Sequence, residues 1–216
     1  MKEFFQKYKH AWVFLYGLIY IPWFYYLERT VTHGYKVIQL PLDKKIPFIE
    51  FFIIPYYLWF AFIAVTVFYF FFTNTKEFYQ LVTFLVIGMT LFLIISTLFP
   101  NGQMLRPTHF VRDNIFTDLV KHLYILDTPT NVFPSIHVYN SIGVMIAMNS
   151  SEQLKSKKWA IHLTNILGCL IILSTMFLKQ HSVLDVVGAG IFATISYVFV
   201  YASEPKIAHV FSKSIS

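Results

Sequence analysis

Long apolar runs separated by short polar segments dominate this chain. They fall at 11–27, 51–72, 81–99, 134–148, 159–178 and 183–202. A helix crossing a bilayer needs about 20 mostly apolar residues, so the pattern predicts six spans. The fourth run is short and carries Ser135, His137, Asn140 and Ser141. Polar groups are costly in lipid, which places that run inside the bundle. The predicted fold is all-α: one integral membrane domain over residues 1–216, built as a six-transmembrane-helix bundle, with a long polar stretch from 101 to about 132 between the third and fourth runs.

Composition narrows the class. Hydrophobic residues make up 56% of the 216 and charged ones only 13%, where an average soluble domain has about 25% charged. Six spans would take about 120 residues, leaving no room for a large soluble appendage. The 24 Phe, 14 Tyr and 4 Trp suit a lipid-facing surface with aromatic belts. Lys2, Lys7 and Lys9 precede the first run as in a secretory signal, but no small-residue cleavage site follows, so a retained helix is expected. The net charge of +6 is read as basic loops facing anionic headgroups, not as a nucleic-acid surface. Cys169 lies in an apolar run and is read as packing. With the N-terminus inside, the inner segments hold nine Lys and the longer outer segments eight Lys or Arg. Basic density therefore puts both termini in the cytoplasm. The compact chain without targeting tails points to a bacterial plasma membrane. The 28–50 segment, with Leu40-Pro41-Leu42 and Ile46-Pro47-Phe48, is expected to lie in the headgroup layer, and Lys44-Lys45 reads as solvated.

Three polar clusters interrupt the apolar background, all on the predicted outer side. Gln103 to His109 follows the third run and contains Arg106; Pro134-Ser135-Ile136-His137 opens the fourth; Ser174-Thr175, Lys179-Gln180-His181 and Asp185 link the fifth and sixth. If Pro134 takes the first helical position, the N–H groups that follow lack helical partners and, with the helix dipole, suit a phosphate. The Ser135 hydroxyl adds a donor, and His137 stands one turn in; a capped helix with a satisfied histidine fits the same residues. His181 and Asp185, four apart, would share a helix face. The carboxylate would then fix the imidazole tautomer and leave the other ring nitrogen free as nucleophile or base; a structural His–Asp bond is the plain alternative. His109, His137, His181 and Asp185 could also ligate a metal, which nearby Arg106 and Lys179 would oppose. The planar fork of Arg106 matches phosphate oxygens. Acyl transfer would need a Ser or Cys nucleophile beside a base, and Ser135 is placed at the anion-binding helix start. Phosphoryl transfer is the better fit.

Taken together, these residues resemble the signature of the type 2 phosphatidic acid phosphatase superfamily: Lys, six residues, Arg-Pro; Pro-Ser-Gly-His; Ser-Arg, five residues, His, three residues, Asp. The chain has Arg106-Pro107, Pro134-Ser135-Ile136-His137, then Ser174-Thr175, five residues, His181, three residues, Asp185. It departs at Phe99 for the Lys, Ile136 for the Gly and Thr175 for the second Arg; Lys179 stands nearby as a substitute cation. The wording of 128–137 and 177–185 looks most like the inositol phosphorylceramide synthase-like branch.

The resemblance implies a metal-independent enzyme without cofactor, its active site at the extracytoplasmic end. His181 would attack phosphorus to form a phosphohistidine, Asp185 would orient it, and His137 would protonate the leaving alcohol and then activate the acceptor. Arg106, Lys179, Ser135 and Ser174 would bind the substrate, a lipid phosphate or diphosphate entering from the outer leaflet with its tail between the spans. The expected activity is that of a lipid phosphatase. The alternatives are a lipid phosphotransferase with an alcohol acceptor and, from another class, a small transporter. A transporter needs polar groups near the bilayer midplane, and these clusters gather at one interface.

Overall fold

The structure, a computed structural model, describes residues 6–202. Among them are seven α-helices: α1 Gly17–Thr30, α2 Ile53–Thr73, α3 Thr75–Leu98, α4 Ile115–Leu126, α5 Ile136–Ser150, α6 Lys158–Phe177 and α7 Val183–Tyr197. Two-residue strands β1 (Lys36–Val37) and β2 (Asn101–Gly102) pair in parallel. Lys2, Lys206 and Lys213, three of the basic residues assigned to the inner side, lie outside the described residues.

Four helices are long and apolar enough to cross a membrane: Glu50–Thr73, Thr75–Leu98, Lys158–Phe177 and Val183–Ala202. The other two runs depart from the six-span expectation. The first splits into a 3-10 segment, Lys9–Tyr16, and the 14-residue α1 with Pro22 inside it. The fourth becomes α5, 15 residues long. At 1.5 Å per residue it reaches about 22 Å, short of a ~30 Å hydrocarbon core.

α5 is central, packed against α2, α3, α6 and α7. This is why a short helix carrying His137, Asn140 and Ser141, all buried, survives there. Close approach depends on small residues. A Cβ at Gly88 on α3 would stand 1.9 Å from the Tyr139 ring of α5, and the Tyr139 hydroxyl donates to the Phe84 carbonyl at 3.0 Å. Apolar residues such as Leu18, Phe60, Val65 and Ile166 face outward, as in a bundle solvated by lipid. Cys169 is exposed on α6 and does not fill the core, contrary to its reading as packing.

The stretch 101–132 is not featureless. The Asn114 side chain accepts from the N–H groups of Phe116 and Thr117, both at 3.0 Å, and so caps α4. The helix buries Thr117, Val120 and Leu123 against its neighbours. The 28–50 segment does more than line a surface. β1 ties it to β2, and the 3-10 turn Pro41–Lys44 carries Asp43 into the interior, while Lys44 and Lys45 stay exposed.

Candidate functional site

The loop before α5 is held from below by Asn101. Its side-chain oxygen accepts from the Val132 and Phe133 N–H groups, both at 2.9 Å, and its carbonyl accepts from Asn131 at 2.7 Å. Ser135 is the N-cap of α5, its hydroxyl accepting from the Val138 N–H at 3.4 Å. Pro134 therefore precedes the cap and does not occupy the first helical position as the sequence suggested. The first backbone bond of the helix runs from the Tyr139 N–H to the Ser135 carbonyl, 3.0 Å. The Ile136 and His137 N–H groups come ahead of it, at the positive end of the helix dipole. The His137 ring is wedged between Tyr56, 4.7 Å between centroids, and Trp59, 4.3 Å. The Trp59 indole N–H donates to the His137 carbonyl at 3.2 Å, fixing the backbone as well.

His181 is held differently. α6 ends in a reversal in which the Gln180 and His181 N–H groups both donate to the Thr175 carbonyl, at 2.9 and 3.0 Å. Lys179 takes φ 54° there, a left-handed conformation that favours glycine at helix ends. α7 then starts at Val183 with Ser182 as its cap, so His181 lies before the helix. The shared helix face inferred from the four-residue spacing does not exist. Instead Asp185, third in α7, reaches back: Oδ2 accepts from the Ser182 N–H at 2.8 Å and approaches His181 Nδ1 at 3.4 Å. That approach is an ion-pair distance without hydrogen-bond alignment, since Nδ1 has no hydrogen-bond partner.

Asp43 locks this turn from the 28–50 segment. It accepts from the Ser182 hydroxyl at 2.7 Å and from the Val183 N–H at 2.8 Å. The Lys179 ammonium donates to the carbonyl of Asp43 at 2.6 Å and to that of Ile46. Burial pulls the Lys179 pKa down, and Asp43 opposes the shift.

Arg106 sits behind the cleft, joined to it through Gln180. Its guanidinium donates to the carbonyls of Tyr124, 3.1 Å, and Asp127, 2.7 Å, and to the Gln180 side-chain oxygen, 2.5 Å, and it stacks on Tyr124. Burial lowers its pKa, with the Asp127 charge opposing. Gln180 in turn donates to Asp127 Oδ2 at 3.2 Å, where the Tyr56 hydroxyl also donates at 2.8 Å.

The structure brings His137 and His181 together, ring centroids 5.6 Å apart at 57°. Both line a cleft of about 40 Å³ together with Gln180, Asp127, Glu28 and Asn131. At about 10–15 Å³ per water-sized group, the cleft has room for a few such groups. Asp185 stands behind His181. Ser135, Ser174, Arg106 and Lys179 do not line the cleft; Ser174 is buried and donates to the Ile171 carbonyl at 2.6 Å. His109 is exposed away from the cleft. Among the described residues no three His, Cys, Asp or Glu side chains gather as they would around a metal ion. Sequence reasoning missed Glu28, Asp43, Asp127 and Asn131. A carboxylate directly after an apolar run was a usable signal for Glu28. Nothing local marks Asp43, whose partners are 139 and 140 positions away.

The family model of the PAP2 superfamily matches residues 103–208. That stretch holds both histidines, Asp185 and Arg106. The match agrees with the resemblance read from the motifs and supports phosphatase- or phosphotransferase-type chemistry; the branch within the superfamily is not distinguished. No curated protein and no solved structure matches the chain.

Proposed function

We propose that the protein is a membrane-embedded lipid phosphatase acting through a phosphohistidine. The observation that carries this reading is the meeting of His137 and His181 around one small cleft, 5.6 Å apart, at the start of α5. The phosphorus of a lipid phosphate or diphosphate sits between the rings. His181 attacks it, the bond from phosphorus to the leaving oxygen breaks, and His137 protonates that oxygen. Water, deprotonated by His137, then displaces the imidazole. Asp185 stabilises the His181 imidazolium. The Ile136 and His137 N–H groups face the equatorial oxygens with the dipole of α5 behind them.

The remaining cations act at one remove. Arg106 positions Gln180 and adds positive potential. Lys179 spends two of its protons on the 41–46 loop, and so acts by holding the α6–α7 reversal while its charge contributes to the field. Ser135 serves as cap and Ser174 as a packed buttress of α6. Phe99, Ile136 and Thr175, where the superfamily signature has Lys, Gly and Arg, leave fewer direct anion contacts than that signature provides. The site end of the bundle faces the extracytoplasmic side, both termini are cytoplasmic, and the lipid tail lies along the bundle in the bilayer. The test is phosphate release from phosphatidate and from a polyprenyl diphosphate by purified protein with chelator present. Release that depends on His181 is expected; undiminished release by His181→Ala would refute the nucleophile.

A further inference from the structure

We propose that Glu28 is a specificity-determining residue of this site: it receives a hydroxyl of an alcohol carrying more than one hydroxyl group, and so favours that alcohol over water as phosphoryl acceptor. The proposal rests on the phosphohistidine reading and adds the acceptor.

Glu28 comes from outside the family-matched residues, near the C-terminal end of α1. Leu27, beside it, is buried against Phe92 and Leu93 of α3, which carries the carboxylate to the cleft. There Oε2 accepts from the Thr128 hydroxyl at 2.6 Å and Oε1 from the Asn131 amide at 3.0 Å. Each carboxylate oxygen can take a further donor. Asp127 places a second carboxylate on the same cleft.

Besides His181 Nδ1, which faces Asp185, two buried atoms of the cleft residues have no hydrogen-bond partner. Asn131, 5% exposed, has an unpaired side-chain oxygen, and His137, 9% exposed, an unpaired Nδ1. A buried acceptor left unpaired is costly. The unused capacity of this wall is therefore for accepting hydrogen bonds, supplied by Glu28, Asp127 and Asn131. With the phosphoryl group between the two rings and its oxygens toward the α5 N–H groups, a second anion against Glu28 and Asp127 would be repelled, whereas a neutral donor would not. Several hydroxyl groups on one small molecule satisfy the wall without adding charge. In the transfer step one hydroxyl oxygen bonds to the phosphorus on His181 and gives its proton to His137. The P–N bond breaks and its electron pair returns to the imidazole, while a second hydroxyl is held by Glu28.

The experiment uses the full chain in detergent or liposomes with phosphatidate as phosphoryl donor. Glycerol or ethanol is added at equal concentration, and the alcohol phosphate and free phosphate are resolved by phosphorus NMR. Wild type is expected to give a transfer-to-hydrolysis ratio at least about fivefold higher with glycerol than with ethanol, and Glu28→Gln to bring the two alcohols to within about twofold. A purely structural loss would lower both products and leave the preference intact. An unchanged preference in Glu28→Gln, or free phosphate alone from wild type at every glycerol concentration, overturns the acceptor proposal and leaves the phosphatase reading standing. Phosphate release undiminished in His181→Ala sinks the underlying reading instead. Where Glu28→Gln does not fold, Glu28→Asp, which keeps the charge and shortens the reach, carries the same comparison: a retained glycerol preference overturns the proposal, and a lost one supports it.

Discussion

The starts of α5 and α7 differ in how they hold a histidine. Each begins on a serine cap, Ser135 or Ser182, and each has one of the paired imidazoles close by. His137 is inside the first turn of α5, its ring pressed between Tyr56 and Trp59. His181 precedes its helix, set by the α6–α7 reversal and by a carboxylate that reaches back from Asp185. One ring is placed by packing, the other by polar contacts. Packing fixes a position but offers the ring no charged partner, which suits a proton carrier. A neighbouring carboxylate stabilises a cationic ring, which suits a nucleophile that becomes positively charged when it bonds to phosphorus.

Substitutions can break this contrast, beginning with the largest effect. His181→Ala is expected to bring phosphate release to background and to abolish acid-labile phosphate labelling of the protein. His137→Ala should slow release by about 10²–10⁴-fold, the usual range for a lost general acid–base. Rapid-quench labelling should still detect a phosphoenzyme in it when the leaving group is a good one. Labelling through position 137 and not 181 would reverse the two assignments. Asp185→Asn should also cost about 10²–10⁴-fold, by analogy with the orienting carboxylate of a triad, and steady-state rates beside thermal melts would separate chemistry from folding.

Stability sharpens the same comparison on a smaller scale. Ser182 accepts from the Leu184 N–H at 3.1 Å and also donates to buried Asp43, whereas the Ser135 hydroxyl makes one long bond, 3.4 Å. Ser182→Ala should therefore cost more than the ~1 kcal/mol of an ordinary cap, and Ser135→Ala about that or less. Denaturation of the two variants in the same detergent checks the order. Equal losses would mean that Asp43 does not couple the 28–50 segment to α7.

Parts of this molecule were legible in its sequence for simple reasons. The apolar runs at 51–72, 81–99, 159–178 and 183–202 correspond to helices able to cross a bilayer, because length and hydropathy are local properties. The polar residues of the run at 134–148 point to a place inside the bundle, and α5 packs at its centre. The clusters around Arg106, His137 and His181 did lie at one end. Their details did not follow. Spacing of four suggested a helical His181–Asp185 pair, but the helix starts two residues later, because Ser182 and Asp43 satisfy the first N–H groups of α7. Lys179 looked like an anion ligand by proximity in sequence, yet its ammonium turns to carbonyls more than 130 positions away. α4 carries a local signal as well, since its apolar residues at 115–116, 119–120 and 123–126 recur at helical spacing around Asp118, Lys121 and His122, but it is too short and too polar to read as a span.

By itself the sequence determined a helical chain with runs long and apolar enough to cross a membrane, and the order of the three motifs that carry Arg106, His137, His181 and Asp185, since hydropathy and motif order require no knowledge of distant contacts. Only the tertiary structure decided what each polar group faces. The depth of α5, the direction of Lys179, the buried place of Asp43 and the arrival of Glu28 beside the histidines depend on helices packing at one end of a bundle. There each buried hydrogen-bonding group must find a partner wherever the chain happens to supply one.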